Sequence, residues 1–486
     1  MTRPGRHRRP PGPAAGPPGP PRTAAGPARD APDAGLRFRT PDDTEEQQMT
    51  LPPRSTEHAV VVDLGFGDAG KGAVVDLLCA RRRFGAVVRA NGGAQAAHNV
   101  VAPDRRHHTF AQFGAGTLAP GGPVPTHLSR FAAVDPLALA AEAAHLASIG
   151  VADPFRLLTV DRRALISTPW HRAANRRREL ARGRDRHGSC GMGVGETAAY
   201  ALAHPGDAPT AGDCADPGAL RRKLRLLADR LAGDAPAVPA PDPAGPAPDV
   251  EEHVAAYRAF AAAVRLVDES YLPRLLAAEP VVFEGAQGVL LDEWHGFHPH
   301  TTWSTTTTAN PLALLAEAGR PGDARRIGVV RTYTTRHGAG PLVTEDPVLA
   351  AALPERHNRS DPWQGPFRVG HFDAVAHRYA LAATGGVDTL AVTHADAPGR
   401  APIRWCGAYT GADGAPLEPS PAPAAPTDLA RQERLTRALL AARPVLSALP
   451  EDQPAAIGAA LGVPLEAVFA GPTRNDAHVP APAPTA

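Results

Sequence analysis

Residues 59–76 read AVVVDLGFGDAGKGAVVD, and the expected fold follows from them. The segment 59–64 is a short apolar run with three consecutive valines, which is typical of a buried strand. It stops at a glycine-rich turn, residues 65–72, and apolar residues then return at helical spacing. Glycines let backbone amides turn toward a phosphate, and a helix N-terminus adds partial positive charge. The order of strand, turn and helix therefore predicts an anion-binding site.

The turn has the spacing of a phosphate-binding loop. Gly65, Gly70 and Lys71 satisfy the pattern G-x-x-x-x-G-K, although Gly72 stands where a Ser or Thr would usually bind magnesium. Asp68, inside the loop, is a candidate magnesium ligand and a candidate general base. The alternative is an ordinary glycine-rich turn with a surface lysine. Lys71 is one of only two lysines in a chain rich in arginine, which favours a lysine kept for its compact charge. We interpret the turn as a nucleotide-phosphate loop.

Composition narrows the class of protein. The chain has 486 residues, enough for one large domain or two ordinary ones, and a net charge of +1. We therefore expect no bulk attraction to nucleic acid or to a membrane. The four cysteines are scattered without metal-ligand spacing, and no run approaches the ~20 apolar residues that span a bilayer. These features favour a cytoplasmic protein with reduced thiols.

The composition also predicts the domain limits. Residues 1–57 are rich in Pro, Gly, Arg and Ala and are expected to be a disordered tail. One α/β domain is expected over residues 58–478, with Pro/Ala-rich insertions near 234–249 and 415–427. Residues 479–486 read as a flexible tail.

The alternation of predicted strands, turns and helices continues along the chain. Further strands are expected at 85–89, 157–160, 281–284, 327–330 and 389–392. A helix is expected at 135–149, opened by Asp135 with Pro136 in its first turn, and a long amphipathic helix from 251 to about 276. This alternation predicts one large, mostly parallel sheet flanked by helices.

Polar turns follow two of the predicted strands. They are residues 91–99 and 285–288, and a second glycine-rich loop lies at 188–195. In open α/β folds, ligands bind at the carboxyl ends of parallel strands. These turns are therefore candidate ligand-binding segments.

The chain resembles the adenylosuccinate synthetase family from about Ala59 to His478. Four segments in the family's order carry the resemblance: 67–72 with 75–78, 283–288 with 290–292, 333–341, and Gly471-Pro472 with Arg474. The resemblance implies a P-loop-like nucleotide-binding α/β fold. It also implies a ligase that uses GTP to join aspartate to inosine monophosphate (IMP). In that reaction a carboxylate removes a proton from the purine ring, so that the 6-oxygen accepts a phosphoryl group that the amine then displaces.

The resemblance assigns roles to individual residues. Asp68 is implied as the base and a magnesium ligand, Lys71 as the phosphate contact, and His98 as the acid, with Gln287 also in the catalytic set. The implied nucleotide-binding residues are Gly67, Gly70, Lys71, Gly72, Asp396 and Gly471. The implied substrate-binding residues are Gln95, Ser189, Cys190, Gln287, Thr302 and Arg368. Mg²⁺, held by Asp68 and the backbone at Ala97, is the implied cofactor, and a homodimer is a possible assembly.

The sequence also departs from the family pattern. Of the consecutive arginines in the family's aspartate-binding loop, only one has an aligned counterpart here, Arg368. The same region carries the aromatic residues Trp363 and Phe367 instead. Arg359 is a candidate for compensation. His204 falls near the position of the arginine that crosses the family's dimer interface. His394 replaces a lysine of the guanine-reading segment.

Three hypotheses follow from these patterns. The first is the ligase with its familiar substrates: a purine nucleotide, a nucleoside triphosphate and an amino acid. The second is the same two-step chemistry on a different purine or amine, which the altered segment around Trp363 motivates. The third is a nucleotide-binding paralogue without catalysis. Survival of Asp68, Lys71, His98 and Gln287 together favours an active enzyme.

Overall fold

The computed structural model describes residues 54–234, 248–355, 363–419 and 428–479. Its centre is a ten-stranded sheet. In chain order the strands are β1 His58–Asp63, β2 Ala86–Arg89, β3 Thr126–Leu128, β4 Leu158–Asp161, β5 Arg265–Val267, β6 Val281–Glu284, β7 Ala324–Arg331, β8 Thr389–Thr393, β9 Leu465–Phe469 and β10 Ala477–His478. Their spatial order is β10-β9-β8-β7-β1-β6-β2-β3-β4-β5. Every neighbouring pair is parallel except β9 with β10, which confirms the predicted large, mostly parallel sheet.

Helices and short strand pairs surround this sheet. The helices are α1 Lys71–Arg81, α2 Pro136–Ser148, α3 Pro169–Ala181, α4 Val194–Ala203, α5 Pro217–Gly233, α6 Val250–Ala263, α7 Tyr271–Ala278, α8 Ala309–Glu317, α9 Pro347–Ala352, α10 Ala374–Ala383, α11 Leu429–Ala441 and α12 Gln453–Leu461. The shorter strands are His98–Val101, His107–Phe110, Ala133–Val134, Leu165–Ile166, Thr334–His337, Phe367–Gly370, Phe372–Asp373, Trp405–Thr410, Pro416–Leu417 and Arg443–Ser447. No helix of the described ranges is both long and apolar enough to cross a bilayer.

The apolar run of β1 is explained by its position in the middle of the sheet. All six of its residues are buried. Val61 packs into one core cluster, Val60 into a second and Val62 into a third. Because side chains alternate between the two faces of a strand, a strand covered on both faces needs apolar residues at consecutive positions. β1 thereby places the phosphate loop at the centre of the sheet's carboxyl edge.

One predicted helix is confirmed and another is wrong. The side chain of Asp135 accepts hydrogen bonds from the backbone N–H groups of Leu137 and Ala138 and caps α2, as its sequence predicts. The single helix expected over 251–276 is instead α6, the edge strand β5 and α7. β5 pairs in parallel with β4, and this pairing with a distant segment overrides the local helical pattern.

The expected domain limits shift by a few residues. The tail expected over 1–57 lies outside the described residues only up to residue 53. Arg54 forms a backbone bridge with Arg83 and an ion pair of 2.5 Å with Glu279, so 54–57 are part of the domain. Most of the insertions expected at 234–249 and 415–427 also lies outside the described residues, but Pro416–Leu417 pairs with Trp405–Thr410.

Candidate active site

The loops that follow β1, β2, β6, β7 and β8 meet at one edge of the sheet. The closest approach is between the Gln287-Gly288 turn and the phosphate loop. It is possible because residue 288 is a glycine. A Cβ added at Gly288 would lie 2.3 Å from both Gly65 O and Gly67 N. A Cβ added at Gly72 would lie 3.0 Å from the His98 Cβ. The structure therefore brings together the phosphate loop, the turn after β6 and the start of the strand that carries His98.

The phosphate loop is folded around a buried carboxylate. Asp63, the last residue of β1, accepts hydrogen bonds from Gly65 N at 2.8 Å and from Ala69 N at 2.9 Å. Lys71 Nζ lies 3.0 Å from Asp63 Oδ2 and donates to Gln287 O at 2.6 Å. Lys71 is only 3% exposed. The alternative of a surface lysine is therefore wrong.

Asp68 stands in a strained backbone conformation with its carboxylate available. Its φ is +59°, a left-handed value that non-glycine residues rarely adopt. Arg331 Nε donates to its backbone oxygen at 2.6 Å. Among the described residues, none donates a hydrogen bond to its carboxylate. Burial raises the pKa of Asp68, while the charges of Arg331 and Lys71 oppose that rise. A carboxylate in this setting is suited to accept a proton.

His98 is held by a buried glutamate. His98 Nδ1 lies 2.6 Å from Glu284 Oε1, and Ala115 N donates to Glu284 Oε2 at 2.9 Å. Burial and then the charge of Arg89 lower the pKa of His98 to about 4, although Glu284 acts in the opposite direction. Burial raises the pKa of Glu284, but Arg89 and His98 hold it below its usual value. The arrangement is a neutral imidazole that donates Nδ1–H to a carboxylate.

Two glutamine side chains at this edge of the sheet have buried amide atoms without a hydrogen-bond partner among the described residues. They are Oε1 of Gln287, whose φ is +56°, and both Oε1 and Nε2 of Gln95. Asn91 fixes the intervening turn, because it donates to Ala286 O at 3.1 Å and accepts from Ala286 N at 2.8 Å. Buried amides in proteins are normally hydrogen-bonded. These groups are therefore candidates to contact a polar ligand.

The second glycine-rich loop lies against Trp363. A Cβ added at Gly191 would lie 2.8 Å from Trp363 Cγ, so the indole packs directly on this backbone. Arg176 donates from Nε to Gly191 O at 3.2 Å, and its guanidinium carbon is 5.1 Å from the centre of the Trp363 ring. Within the same loop, Ser189 Oγ donates to Asn175 Oδ1 at 2.9 Å. Cys190 is half-buried.

Arg368 has internal partners for its guanidinium. It donates from Nε to Glu345 Oε1 at 2.9 Å, and from Nη1 to Gly338 O at 3.1 Å and Gly340 O at 2.8 Å. Its Nη2 also donates to Glu345. These contacts hold the strand pair Thr334–His337 and Phe367–Gly370 to its own loop. Arg359 lies outside the described residues.

The remaining candidate residues lie in the loops after β6, β8 and β9. Thr302 N donates to Leu291 O at 2.8 Å. Asp396 lies 3.2 Å from the Arg400 guanidinium, in an ion pair that is partly exposed. Arg474 Nη1 reaches both carboxylate oxygens of Asp76 on α1, at 2.6 and 2.7 Å, next to the turn that contains Gly471.

The residues present fit a magnesium ion bound together with phosphates. Magnesium prefers oxygen ligands and usually takes one or two carboxylates plus substrate phosphates. The carboxylate of Asp68, to which no described residue donates a hydrogen bond, supplies such a ligand, and Ala97 is exposed beside the same edge. Across the described residues no cluster of three or more His, Cys, Asp or Glu side chains forms a dedicated metal cage. A metal held by one carboxylate and its nucleotide is consistent with that finding.

Comparison with known proteins identifies the family. The family model described as adenylosuccinate synthetase matches residues 60–476. The chain belongs to the adenylosuccinate synthetase family. It is therefore a ligase of the class that forms carbon–nitrogen bonds, in a family that is GTP-dependent and generally requires Mg²⁺.

Relatives in this family are about one-third identical to the chain over the aligned residues. The adenylosuccinate synthetase of Synechococcus elongatus is 31% identical over 358 residues, which cover 70% of this chain and 74% of the relative. That of Thermosynechococcus vestitus is 33% identical over 369 residues, covering 72% and 77%.

Solved structures show the same fold at lower identity. The fully ligated adenylosuccinate synthetase of Plasmodium falciparum is 20% identical with a TM-score of 0.71, covering 87% of this chain and 100% of its own. The succinoaminodeoxyadenylate synthetase of cyanophage S-2L, bound to dGMP and to dATP as an energy donor, is 20% identical with a TM-score of 0.52. It covers 88% of this chain and 96% of its own.

Three residues of the site were missed by sequence reasoning. Asp63 and Glu284 are acids at the ends of otherwise apolar strands, and Arg331 is a cation in the same position. A charged residue in a buried strand is costly unless it is paired, so this pattern was a usable signal. Lys71, the partner of Asp63, lies eight residues away, but the partners of Glu284 and Arg331 lie far away in the sequence. Those distant partners can be identified only when the order of the strands in the sheet is known.

Proposed function

We propose that this protein uses a nucleoside triphosphate to phosphorylate the 6-oxygen of a purine nucleotide and then lets an amine displace the phosphate. GTP, IMP and aspartate are the substrates we assign first. The single observation that carries the proposal is the Asp68 carboxylate, held without a hydrogen bond in the described structure beside Lys71 and Arg331. Its raised pKa suits proton transfer, and its neighbours suit a polyphosphate.

In the first step, Asp68 accepts the proton from the ring nitrogen next to the 6-oxygen. The oxygen then attacks the terminal phosphorus, and the bond from that phosphorus to the bridging oxygen breaks to release a nucleoside diphosphate. Lys71 donates an N–H to the phosphates. Magnesium, when bound, would offset charge on the same phosphates.

In the second step, the amine nitrogen bonds to the purine carbon as the bond from that carbon to the 6-oxygen breaks, and inorganic phosphate leaves with the proton that the amine gives up. The buried Oε1 of Gln287 and the Gln95 amide have no partner among the described residues, so we assign the first to accept a hydrogen bond from the purine and the second to contact the nucleotide. Ser189, Cys190 and Thr302 are assigned to the nucleotide substrate as well. Asp396 is assigned to the base of the triphosphate, and it would have to exchange Arg400 for that base.

The assignment is tested with purified protein, GTP, IMP, aspartate and Mg²⁺. We expect ultraviolet absorbance to rise as the 6-amino-substituted purine forms. Asp68→Asn should lower turnover by roughly 100-fold or more, because general bases are commonly worth that much. Asp229→Asn, at an exposed position on α5, is the matched control and should keep full activity. Product formation that survives Asp68→Asn would contradict Asp68 as the base. Normal GTP binding with no product from the wild type would instead favour a nucleotide-binding paralogue without catalysis.

A second candidate is the same chemistry with another purine or amine. Two observations favour it: Arg368 is held by Glu345 and two carbonyls, and Trp363 covers the glycine loop at Gly191. An amine with two carboxylates would need guanidinium partners. The cyanophage relative, named as a succinoaminodeoxyadenylate synthetase, illustrates a different substrate in a protein of this fold.

This second candidate is tested by a substrate matrix. Purine nucleotides, including deoxynucleotides, are combined with aspartate and with amines that lack a second carboxylate, and the release of phosphate is measured. Phosphate release that requires a different purine or amine would support it. Full activity with IMP and aspartate alone would rule it out.

A further inference from the structure

A fully buried ion pair lies beneath the phosphate loop. Asp63 and Lys71 are joined at 3.0 Å, and their side chains are 0% and 2% exposed. The same carboxylate accepts the backbone N–H groups of Gly65 and Ala69, which lie on the two sides of Asp68 in the loop. Asp63 therefore ties both arms of the loop and its lysine to the end of β1.

This arrangement limits what the lysine can offer a phosphate. An ammonium group has three N–H donors. In Lys71 one points to Asp63 and one to the backbone oxygen of Gln287 at 2.6 Å. One donor remains for a ligand, and the charge behind it is partly offset by Asp63. Lys71 can therefore offer a phosphate one N–H donor in a fixed direction, rather than a mobile and fully unpaired positive charge.

We propose that Asp63 is a positioning residue for the reaction: it fixes the remaining N–H of Lys71 and the backbone of the loop on the polyphosphate. This inference rests on the proposed function and adds a residue to its machinery. Asp63 acts through Lys71 and through the Gly65 and Ala69 amides, without contact to the reacting atoms. Phosphoryl transfer depends mainly on positioning, and displacements of ~1 Å can cost ~100-fold in rate.

The test is a double-mutant cycle on the full chain with Asp63→Asn, Lys71→Met and both together. Asp63→Asn keeps the size of the side chain and removes its charge. We expect it to lower kcat by about 10- to 100-fold while KM for GTP changes by less than about 3-fold, because the loop and its lysine are still present. In the Lys71→Met background the same change should cost clearly less than in the wild type, since the Lys71 contact is gone and only the Gly65 and Ala69 amides remain for Asp63 to position.

A matched control is available at another strand of the sheet. Asp161 ends β4, accepts Arg163 N at 2.8 Å and pairs with the same arginine at 2.7 Å. It lies four strands away from β1, at roughly 5 Å per strand. Asp161→Asn removes an equivalent strand-end carboxylate and should leave kcat and KM unchanged.

Stability provides a readout that needs no turnover. Lys71→Met leaves the Asp63 carboxylate buried without its cation, so the urea midpoint of unfolding should fall. Adding Asp63→Asn should recover part of that fall. A double variant with a lower midpoint than Lys71→Met would contradict the pairing.

The outcomes separate this inference from the proposed function. An active wild type whose kcat survives Asp63→Asn, or a cycle in which the two effects multiply, overturns the role of Asp63 and leaves the ligase assignment intact. A wild type inactive on every substrate overturns the ligase. In that case the same cycle is run on the affinity for a non-hydrolysable GTP analogue, measured by calorimetry. Coupled effects there support positioning by Asp63, and additive effects reject it.

Discussion

The imidazole of His98 lies against the carboxylate of Glu284, with 2.6 Å between Nδ1 and Oε1, and both side chains are buried. Glu284 ends β6, and His98 follows the turn after β2, the neighbouring strand. The contact fixes both the tautomer and the direction of the ring, so that Nε2 is the nitrogen left for a ligand. The imidazole is neutral in the free protein because its pKa is about 4. The negative charge of a bound polyphosphate would favour the protonated ring.

Glu284→Gln tests this orientation. The amide keeps the shape but presents a donor or a weaker acceptor to Nδ1, so we expect kcat to fall by roughly 10- to 100-fold with a smaller change in KM. Steady-state kinetics are the measurement. His98→Asn should lower kcat at least as far, and the double variant should be no worse than His98→Asn alone. Independent, multiplying effects would show that Glu284 does not act through His98.

Arg331 is expected to hold Asp68 in its left-handed conformation. Its Nε bonds to the backbone oxygen of Asp68 at 2.6 Å, and its Nη1 bonds to Tyr333 Oη at 3.0 Å. Arg331→Met should lower kcat by about 10-fold or more, because the strained residue loses its clamp. Arg331→Lys, which retains the charge but not the fork of donors, should recover only part of the activity. Full activity in Arg331→Met would exclude this role.

Gly288→Ala should destroy the site. The added methyl group would lie 2.3 Å from backbone atoms of Gly65 and Gly67, which have no flexible end to move aside. We expect loss of GTP binding by calorimetry together with a lower melting temperature. Gly206→Ala is the matched control, because a Cβ there would meet nothing within 4 Å. A Gly288→Ala protein that binds GTP normally would contradict the close packing of these loops.

Asp373 should make stability depend on pH. It is buried, accepts from Tyr409 Oη at 2.6 Å and caps α10 through Ala376 N at 3.0 Å. Burial raises the pKa of Asp373 to about 6. The folded protein therefore binds this proton more tightly than the unfolded chain, whose Asp pKa is about 4. The free energy of unfolding should fall by up to about 3 kcal/mol as pH rises from about 4 to 6, and this contribution should then level off.

The measurement is urea unfolding of wild type and Asp373→Asn at several pH values between 4 and 7. The neutral amide has no proton to lose. The free energy of unfolding of the wild type should therefore fall relative to that of Asp373→Asn as the pH rises across that window. Parallel curves would show that Asp373 titrates normally.

Much of the local structure was accessible from the residues themselves. The valines of β1, the glycines and Lys71 of the phosphate loop and the Asp135 cap each follow from periodicity or from the chemistry of a few adjacent residues. The prediction of one long helix over 251–276 was wrong because it rested on the local pattern alone. Residues 265–267 become a strand only because β4 is available to pair with them, and β4 lies about a hundred residues earlier.

The amino-acid order alone was therefore enough for the strand–loop–helix unit, the mostly parallel sheet and the resemblance to a ligase family. Tertiary structure decided which charges meet. Asp63 with Lys71 is a local pair, but Glu284 with His98 and Arg331 with Asp68 join segments 186 and 263 residues apart. Those contacts exist because β7, β1, β6 and β2 are neighbours in the sheet, and the order of strands depends on the packing of the whole domain rather than on any local pattern.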